Sequence, residues 1–350
     1  MKTKIKKITV NASKSYDILI GNGLLDKVGE IFKRRFSVKK IAVITDDKVD
    51  GLYGIKVVNA LKESGFSVSK FVFPNGEKSK NINTYAEILR FLAKEQISRT
   101  DLIVALGGGV VGDITGFSAS TFNRGVPYVQ IPTTLLSQID SSVGGKTAID
   151  LEEGKNLVGA FYQPSLVLCD INTLSTLNEQ DFSCGMGEGA KYAILDSKIF
   201  ELVKNDFDLL DFIYLCIDYK RQIVEQDEFE KGNRKLLNLG HTLAHGIEKL
   251  SGYTILHGNA VAKGLKIVLQ ASKKHGFIDE KTFNDCILVV KKCVGENADI
   301  DCEYAVNDLV KVAMLDKKRD GDFINVIMVK GVGNCTIEKV KVDELLEYFL

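Results

Sequence analysis

Apolar residues gather in short runs along the first half of the chain and fall at helical spacing along the second. Ile5 to Val10, Tyr16 to Ile20, Lys39 to Thr45, Phe66 to Phe73, Asp101 to Leu106 and Tyr128 to Ile131 have strand length and are rich in β-branched or aromatic residues. Between them, Leu24 to Phe36, Ile55 to Lys62, Asn83 to Glu95 and Val110 to Ser120 read as helices. Strand and helix in alternation predict an α/β domain with a Rossmann-like parallel sheet covered by helices on both faces. Ligands of such sheets gather at the carboxyl ends of the strands, where Asp46, Glu77 and Gly107 to Gly109 share an edge. All four prolines, Pro74, Pro127, Pro132 and Pro164, precede Asp170, so longer helices are expected after it. The second domain is predicted to be mainly α-helical, with β-like pieces at Phe323 to Val329 and Thr336 to Val340 and a last helix from Val342 to Leu350. The boundary falls near Asp170 to Thr173, giving domains 1–171 and 172–350.

The length, 350 residues, suits about two domains with a core each. Lys plus Arg number 46 and Asp plus Glu 46, so the balance advertises neither a nucleic-acid partner nor an anionic membrane. The opening MKTKIKKITV is interrupted by polar residues before a signal peptide develops, and no run approaches the ~20 apolar residues of a membrane span. A soluble, cytoplasmic protein is expected. The seven cysteines form no C-x-x-C pair, which suits a reducing compartment and argues against a zinc ribbon or disulfide framework.

The apolar run to Leu106 feeds into Gly107, Gly108 and Gly109, where no side chain keeps a ligand from the backbone. Gly107, Gly109 and Gly112 satisfy G-x-G-x-x-G, whose following helix would aim its first amides at a pyrophosphate. That motif is weak alone. Asp113 in the first turn, and Lys146 after Gly144 and Gly145, strengthen it. No acid ends the next strand, so a ribose-binding carboxylate must come from elsewhere; Asp46 and Asp47 offer one, and a helix cap is an equally good reading of them. Thr133, Thr134, Asp140, Lys155 and Asn156 add polar groups nearby in sequence.

Three of the four histidines, His241, His245 and His257, fall close together. Arg234, Asn238, His241 and His245 are spaced so that one continuous helix would carry all four on a single face. His241 and His245 alone read as a metal-binding pair, but Thr242 stands where a metalloprotease needs its acid. His241, His257 and one carboxylate suffice for a catalytic zinc, and Glu188, with Lys191 one turn on, is a carboxylate for it. His275 lacks such companions and reads as a surface residue or helix-terminal cation.

With GGGVVGD, RGVPYVQIPTTLLSQIDSSVGGKT, GKNLVGAFYQP, LLNLGHTLAHGIE and DKK in view, the chain from about residue 40 to about residue 330 resembles the 3-dehydroquinate synthases and, more broadly, the sugar-phosphate cyclases. The resemblance implies metal ligands at Glu188, His241 and His257, with zinc as the ion and cobalt as its substitute. It implies NAD contacts at Asp46, Glu77 and Lys80, at Gly108, Gly109, Val110 and Asp113, and at Thr133, Thr134, Leu136, Asp140, Lys155 and Thr176. Substrate would meet Arg124, Lys146, Asn156, Lys191, Lys220, Glu230, Arg234, Asn238, His245 and one of Lys317 and Lys318, the second being preferred. His245 is then a proton-transfer residue, against the spacing argument. Gly187, Gly189 and Ala190 are smaller than the family pattern leads one to expect, Leu151 and Glu152 replace a His-Pro, and Asn259 stands where an acid is common.

The reaction so implied takes 3-deoxy-D-arabino-heptulosonate 7-phosphate to 3-dehydroquinate and phosphate, a lyase step of the shikimate pathway. Transient oxidation by NAD acidifies a C–H, phosphate leaves by β-elimination, the hydride returns, and the opened ring closes as a carbocycle. A homodimer is implied, with Arg124 near the partner's site. The rival readings are an inosose- or valiolone-forming cyclase, a metal-dependent alcohol or polyol dehydrogenase, and an NAD-binding regulator without activity.

Overall fold

The computed structural model of the chain describes residues 5–296, 298–315, 319–320 and 322–349. It divides into two compact units, Met1–Leu177 and Asn178–Leu350.

In the first unit the strands are β1 (Lys6–Asn11), β2 (Ser15–Gly21), β3 (Lys40–Asp46), β4 (Ser67–Phe73), β5 (Leu102–Gly107), β6 (Tyr128–Pro132), β7 (Lys146–Leu151), β8 (Gly154–Phe161) and β9 (Leu166–Asp170). Its helices are α1 (Val28–Arg35), the one-turn α2 (Asp47–Val49), α3 (Ile55–Glu63), α4 (Ile82–Lys94) and α5 (Gly109–Thr121). Seven strands form one sheet in the order β1-β2-β9-β6-β5-β3-β4, in which only the β1–β2 pair is antiparallel.

The unbroken apolar runs are explained by two cores. On β3, Ile41 and Val43 join one buried cluster with Val57 and Leu61 of α3, while Ala42 and Ile44 join another with Val111 and Ile114 of α5. β5 alternates likewise, Leu102, Val104 and Leu106 against Ile103 and Ala105. A strand covered on both faces needs no polar alternation, so the period-2 signal disappears. Each buried Val, Leu or Ile side chain among them stabilises the fold by about 1.5–3 kcal/mol. The connection after β3 thus covers one face and the connection after β5 the other. The crevice between the carboxyl ends of β3 and β5 is therefore the topological switch point, where open α/β sheets receive ligands.

Three local departures are instructive. The stretch from Leu24 to Phe36 begins as a 3-10 turn at Leu25–Lys27 before α1. Lys146–Leu151 and Gly154–Phe161 pair as a separate antiparallel hairpin. β9, unread in the sequence, fills the position between β2 and β6.

The second unit is helical: α6 (Glu179–Leu195), α7 (Ser197–Lys204), α8 (Leu209–Gln226), α9 (His241–Leu250), α10 (His257–Lys274), α11 (Glu280–Val294), α12 (Val306–Leu315) and α13 (Leu345–Phe349), with a small sheet of β10 (Arg319–Asp320), β11 (Phe323–Gly331) and β12 (Asn334–Lys341). Asn178, Asp208 and Asp279 cap α6, α8 and α11 by accepting from first-turn amides, which sets where these helices begin. The last predicted helix starts as a 3-10 turn at Val342–Glu344. Among the described residues no helix is long and apolar enough to cross a membrane.

Candidate functional site

Two groups of predicted residues come together, one in each unit. In the first, β5 ends at Gly107 and Gly108 caps α5 from an extended conformation. A Cβ on Gly108 would stand 3.1 Å from Thr134 Cγ2, and one on Gly109 would stand 3.2 Å from Ser141 Oγ. A side chain in the turn that opens α5 would thus press on Thr134 or Ser141, and the glycines leave the backbone there bare; Val110 lies half-buried in the first turn. This is the cradle a pyrophosphate needs. Thr133 is buried and its amide donates to Gly107 O at 3.0 Å. Thr134 exchanges hydrogen bonds with Ser137. Leu136 caps the short π-helical segment that follows, Ser137–Ser141, and Asp140 lies within it.

Beside α5, Lys80 ties several predicted residues together. Its Nζ donates to Asp113 Oδ2 at 2.6 Å and to Asn156 Oδ1 at 2.5 Å. Its carbonyl accepts from Asp150 N at 2.8 Å, and Asp150 Oδ1 accepts from Asn156 N at 2.7 Å. Burial alone would lower the lysine, but Asp113 and Glu77 outweigh it and raise it, keeping the cation. Glu77 is itself raised, first by burial, against the pull of Lys80 and Lys155. Asp46 ends β3 and accepts from Val49 N at 2.8 Å, so the cap reading describes it, while its burial raises its carboxyl. Thr176 Oγ1 lies 2.6 Å from Tyr53 OH. Lys146 is exposed at the start of β7, and Arg124 is exposed with φ 62.

In the second unit the expected continuous helix is interrupted. Asn233–Asn238 is a 3-10 turn and Gly240 sits at φ 79, in the left-handed region, before α9 begins at His241. Arg234 and Asn238 therefore do not share a helical face with His241 and His245. Arg234 is buried instead, with its amide on Asp227 Oδ2 at 3.0 Å and its guanidinium on the Glu228 carbonyl. Asn238 Nδ2 donates to Glu230 Oε1 at 2.7 Å. Lys220 is buried on α8.

Helices α6 and α10 approach at Gly187 and Gly258. A Cβ on Gly187 would meet Gly258 O at 2.0 Å, and one on Gly258 would meet Cys184 O at 1.7 Å. Gly189 makes room in the same way for the ring of Phe212. Gly187, read in the sequence as smaller than expected, and Gly258 are what let the two backbones touch here. The crossing brings Glu188, one residue beyond Gly187, to His257, one residue before Gly258. Glu188 Oε1 lies 3.2 Å from His241 Nε2 and 3.1 Å from His257 Nε2. The carboxylate is 1% exposed, Lys191 Nζ touches its other oxygen, and neither oxygen has a properly aimed hydrogen-bond donor. Buried oxygens in that condition are costly, and a cation held in common with the two ring nitrogens satisfies them. The potential ligand atoms of Glu188, His241 and His257 all lie within 4.8 Å of one another.

The far side of each ring is fixed as well. His241 Nδ1 lies 3.2 Å from Leu239 O, and His257 Nδ1 lies 3.2 Å from Glu248 Oε2. Both rings so present Nε2 to the cluster. Burial pulls His241 down to about 4. Burial also opposes protonation of His257, but Glu188 and Glu248 outweigh it and push it up to about 10. Burial would raise Glu188, yet Lys191 and His241 hold it well below the usual carboxylate range. His245 stands one turn along α9, its ring centroid 5.7 Å from that of His241 and 6.2 Å from that of His257. His275 ends α10 with Nε2 3.0 Å from Tyr348 O and its ring against Tyr348.

Lys317 and Lys318 lie outside the described residues. Sequence reasoning missed Asp150, Tyr53 and Glu248. Glu248, seven residues after His241, was within reach of a helical-face argument.

This architecture places the chain in the fold class of two solved synthases. 2-Deoxy-scyllo-inosose synthase, solved with carbaglucose-6-phosphate, NAD+ and Co2+, superimposes with a TM-score of 0.86 at 24% identity over 99% of both chains. 2-Epi-5-epi-valiolone synthase from Streptomyces hygroscopicus, solved with NAD+ and Zn2+, gives 0.84 at 23% identity over 98% of both. Within that class the sequence is specific. Residues 70–184 match the 3-dehydroquinate synthase N-terminal family and residues 185–319 the 3-dehydroquinate synthase C-terminal family. The 3-dehydroquinate synthase of Clostridium acetobutylicum is 44% identical over 344 residues, covering 95% of this chain and 96% of that one. This chain belongs to the 3-dehydroquinate synthase family.

Proposed function

We propose that the protein converts 3-deoxy-D-arabino-heptulosonate 7-phosphate to 3-dehydroquinate and phosphate, with NAD recycled at each turnover and one divalent metal, zinc or cobalt, bound per chain. The observation that carries the reading is the buried Glu188 carboxylate between two imidazole Nε2 atoms, in a chain 44% identical to a 3-dehydroquinate synthase. Solved relatives of the same fold hold NAD+ with Co2+ or Zn2+, which supports both cofactors here.

Residues 1–171 would bind NAD, with the pyrophosphate on Gly108, Gly109 and Val110 and the adenosine ribose near Asp46. Residues 172–350 would bind metal and substrate, with Glu188, His241 and His257 as ligands. When bound, the metal polarises a substrate hydroxyl and NAD takes up and returns its hydride. The chain's own groups do the rest. Lys146, Lys220, Arg234 and Lys318 supply cations for the phosphate and carboxylate. Arg234 is anchored through Asp227 and the Glu228 carbonyl, so its fork is oriented before substrate arrives. Asn156, Asn238 and Glu230 hold hydroxyls, and Lys191 neutralises charge beside Glu188. His245, next to the ligand histidines, serves as the proton-transfer residue. A cytoplasmic homodimer completes the reading, and the exposure of Arg124 on its left-handed turn suits a role at a partner's site.

Purified protein incubated with the heptulosonate phosphate, zinc and substoichiometric NAD should release phosphate and 3-dehydroquinate in equal amounts without accumulating NADH. Net NADH would indicate a dehydrogenase, and phosphate release without a carbocycle would refute the assignment.

A further inference from the structure

One imidazole in the second unit faces two carboxylates. His257 opens α10 with Nε2 3.1 Å from Glu188 Oε1 and Nδ1 3.2 Å from Glu248 Oε2. His241 is treated differently, since its Nδ1 meets the neutral carbonyl of Leu239. Glu248 sits on α9 seven residues after His241, so the helix turns both side chains toward the same side. At 6% exposure its carboxylate is costly unless a donor or cation answers it.

We propose that Glu248 is a positioning residue for the metal, holding His257 with its proton on Nδ1 and its Nε2 lone pair aimed at the cluster. The inference rests on Glu188, His241 and His257 being the ligand set. A neutral imidazole has one N–H, and whichever nitrogen carries it cannot donate a lone pair to a cation. Without an acceptor at Nδ1, the proton is free to sit on Nε2, where Glu188 would take it as a hydrogen bond and compete with the metal. Glu248 removes that alternative. It also supplies charge: Lys191 lies on Glu188 and weakens it as a donor, and a second carboxylate acting through His257 offsets the loss. His245, Glu248 and His257 also have potential ligand atoms within 4.8 Å of one another, as a second ion would require. The assignment makes them the outer layer of one site, because an Nδ1 that donates its proton to Glu248 cannot also ligate.

Zinc affinity by competition with a chromophoric chelator, zinc stoichiometry by elemental analysis, and the visible spectrum of the cobalt form test this in the parent, Glu248→Gln, Glu248→Ala and His241→Ala. Glu248→Ala should bind zinc about 10- to 100-fold more weakly, with a shifted cobalt spectrum. Glu248→Gln keeps the size and one acceptor oxygen, so it should fold as the parent does and lose less. Unchanged affinity and spectrum in Glu248→Ala would overturn the positioning role, as would two zinc ions in the parent falling to one in Glu248→Ala. His241→Ala separates the two levels: full zinc there means that the ligand set is wrong, whereas zinc lost there and kept in Glu248→Ala removes only the role of Glu248.

Discussion

Replacing Gly258 by alanine tests whether the metal cluster depends on the α6–α10 crossing. The added Cβ would stand 1.7 Å from Cys184 O and 2.7 Å from the Cys184 carbonyl carbon. Both are backbone, so no rotamer can relieve the overlap. Ordinary contact begins at 3.4 Å, so the helices must part by about 1.7 Å, whereas metal–ligand distances tolerate only about ±0.2 Å. Because His257 precedes Gly258 and Glu188 lies four residues past Cys184, the separation falls directly on two of the proposed ligands. Overpacking of this kind costs about 1–3 kcal/mol in stability. Gly258→Ala should bind zinc at least 100-fold more weakly, since it displaces the proposed ligands themselves and changing an outer partner alone costs about 10- to 100-fold. Its NAD affinity should match the parent's. Elemental analysis, chelator competition and urea unfolding measure the three quantities. Stoichiometric zinc at parental affinity would refute the claim that this crossing sets the ligand geometry.

His241→Ala should lose the metal, whereas His245→Ala should keep stoichiometric zinc while turnover falls about 100- to 10,000-fold, as loss of a proton-transfer group does. Equal metal loss in the two variants would instead make His245 a ligand. Gly109→Val should abolish NAD binding seen by calorimetry and leave zinc content alone, because even the first carbon of the new side chain would lie 3.2 Å from Ser141 Oγ at the mouth of the cradle. Asp17 accepts from Thr9 at 2.8 Å and pairs with Arg35 at 2.7 Å and Lys7 at 2.9 Å; burial would raise its carboxyl, but Arg35 and Lys7 lower it. A depressed folded-state value stabilises above the unfolded value and ceases to do so as pH falls through the folded one. Asp17→Asn should therefore cost up to about 1 kcal/mol at neutral pH in urea unfolding, and the gap to the parent should close in acid below the unfolded carboxyl range.

The central strands were legible because the runs IAVI in KKIAVIT and LIVAL in DLIVALG are unbroken by polar residues and are soon followed by acids or glycines. The β7–β8 hairpin was not. Much of β8 is exposed, so its side chains carry little of the contrast that marks a strand. β9 was also hidden, since its identity comes from partners β2 and β6, far away in sequence. The face proposed for Arg234, Asn238, His241 and His245 failed because Asn233–Asn238 winds as a 3-10 turn and the backbone leaves the helical region at Leu239 and Gly240 before α9 begins. Lys80, Asp113 and Asn156 were each singled out as ligand-binding residues, but spacing could not reveal that they bond to one another.

The Lys80 network and the glycine cradle draw every member from 1–177, and the Glu188–His241–His257 cluster every member from 178–350. For a mutant collection this is a sorting rule. Inactive variants that retain metal and lose nucleotide should map before residue 178, and those with the opposite profile after it. A variant that loses both reports a general failure to fold, so two inexpensive binding assays give a genetic lesion its address before it is sequenced.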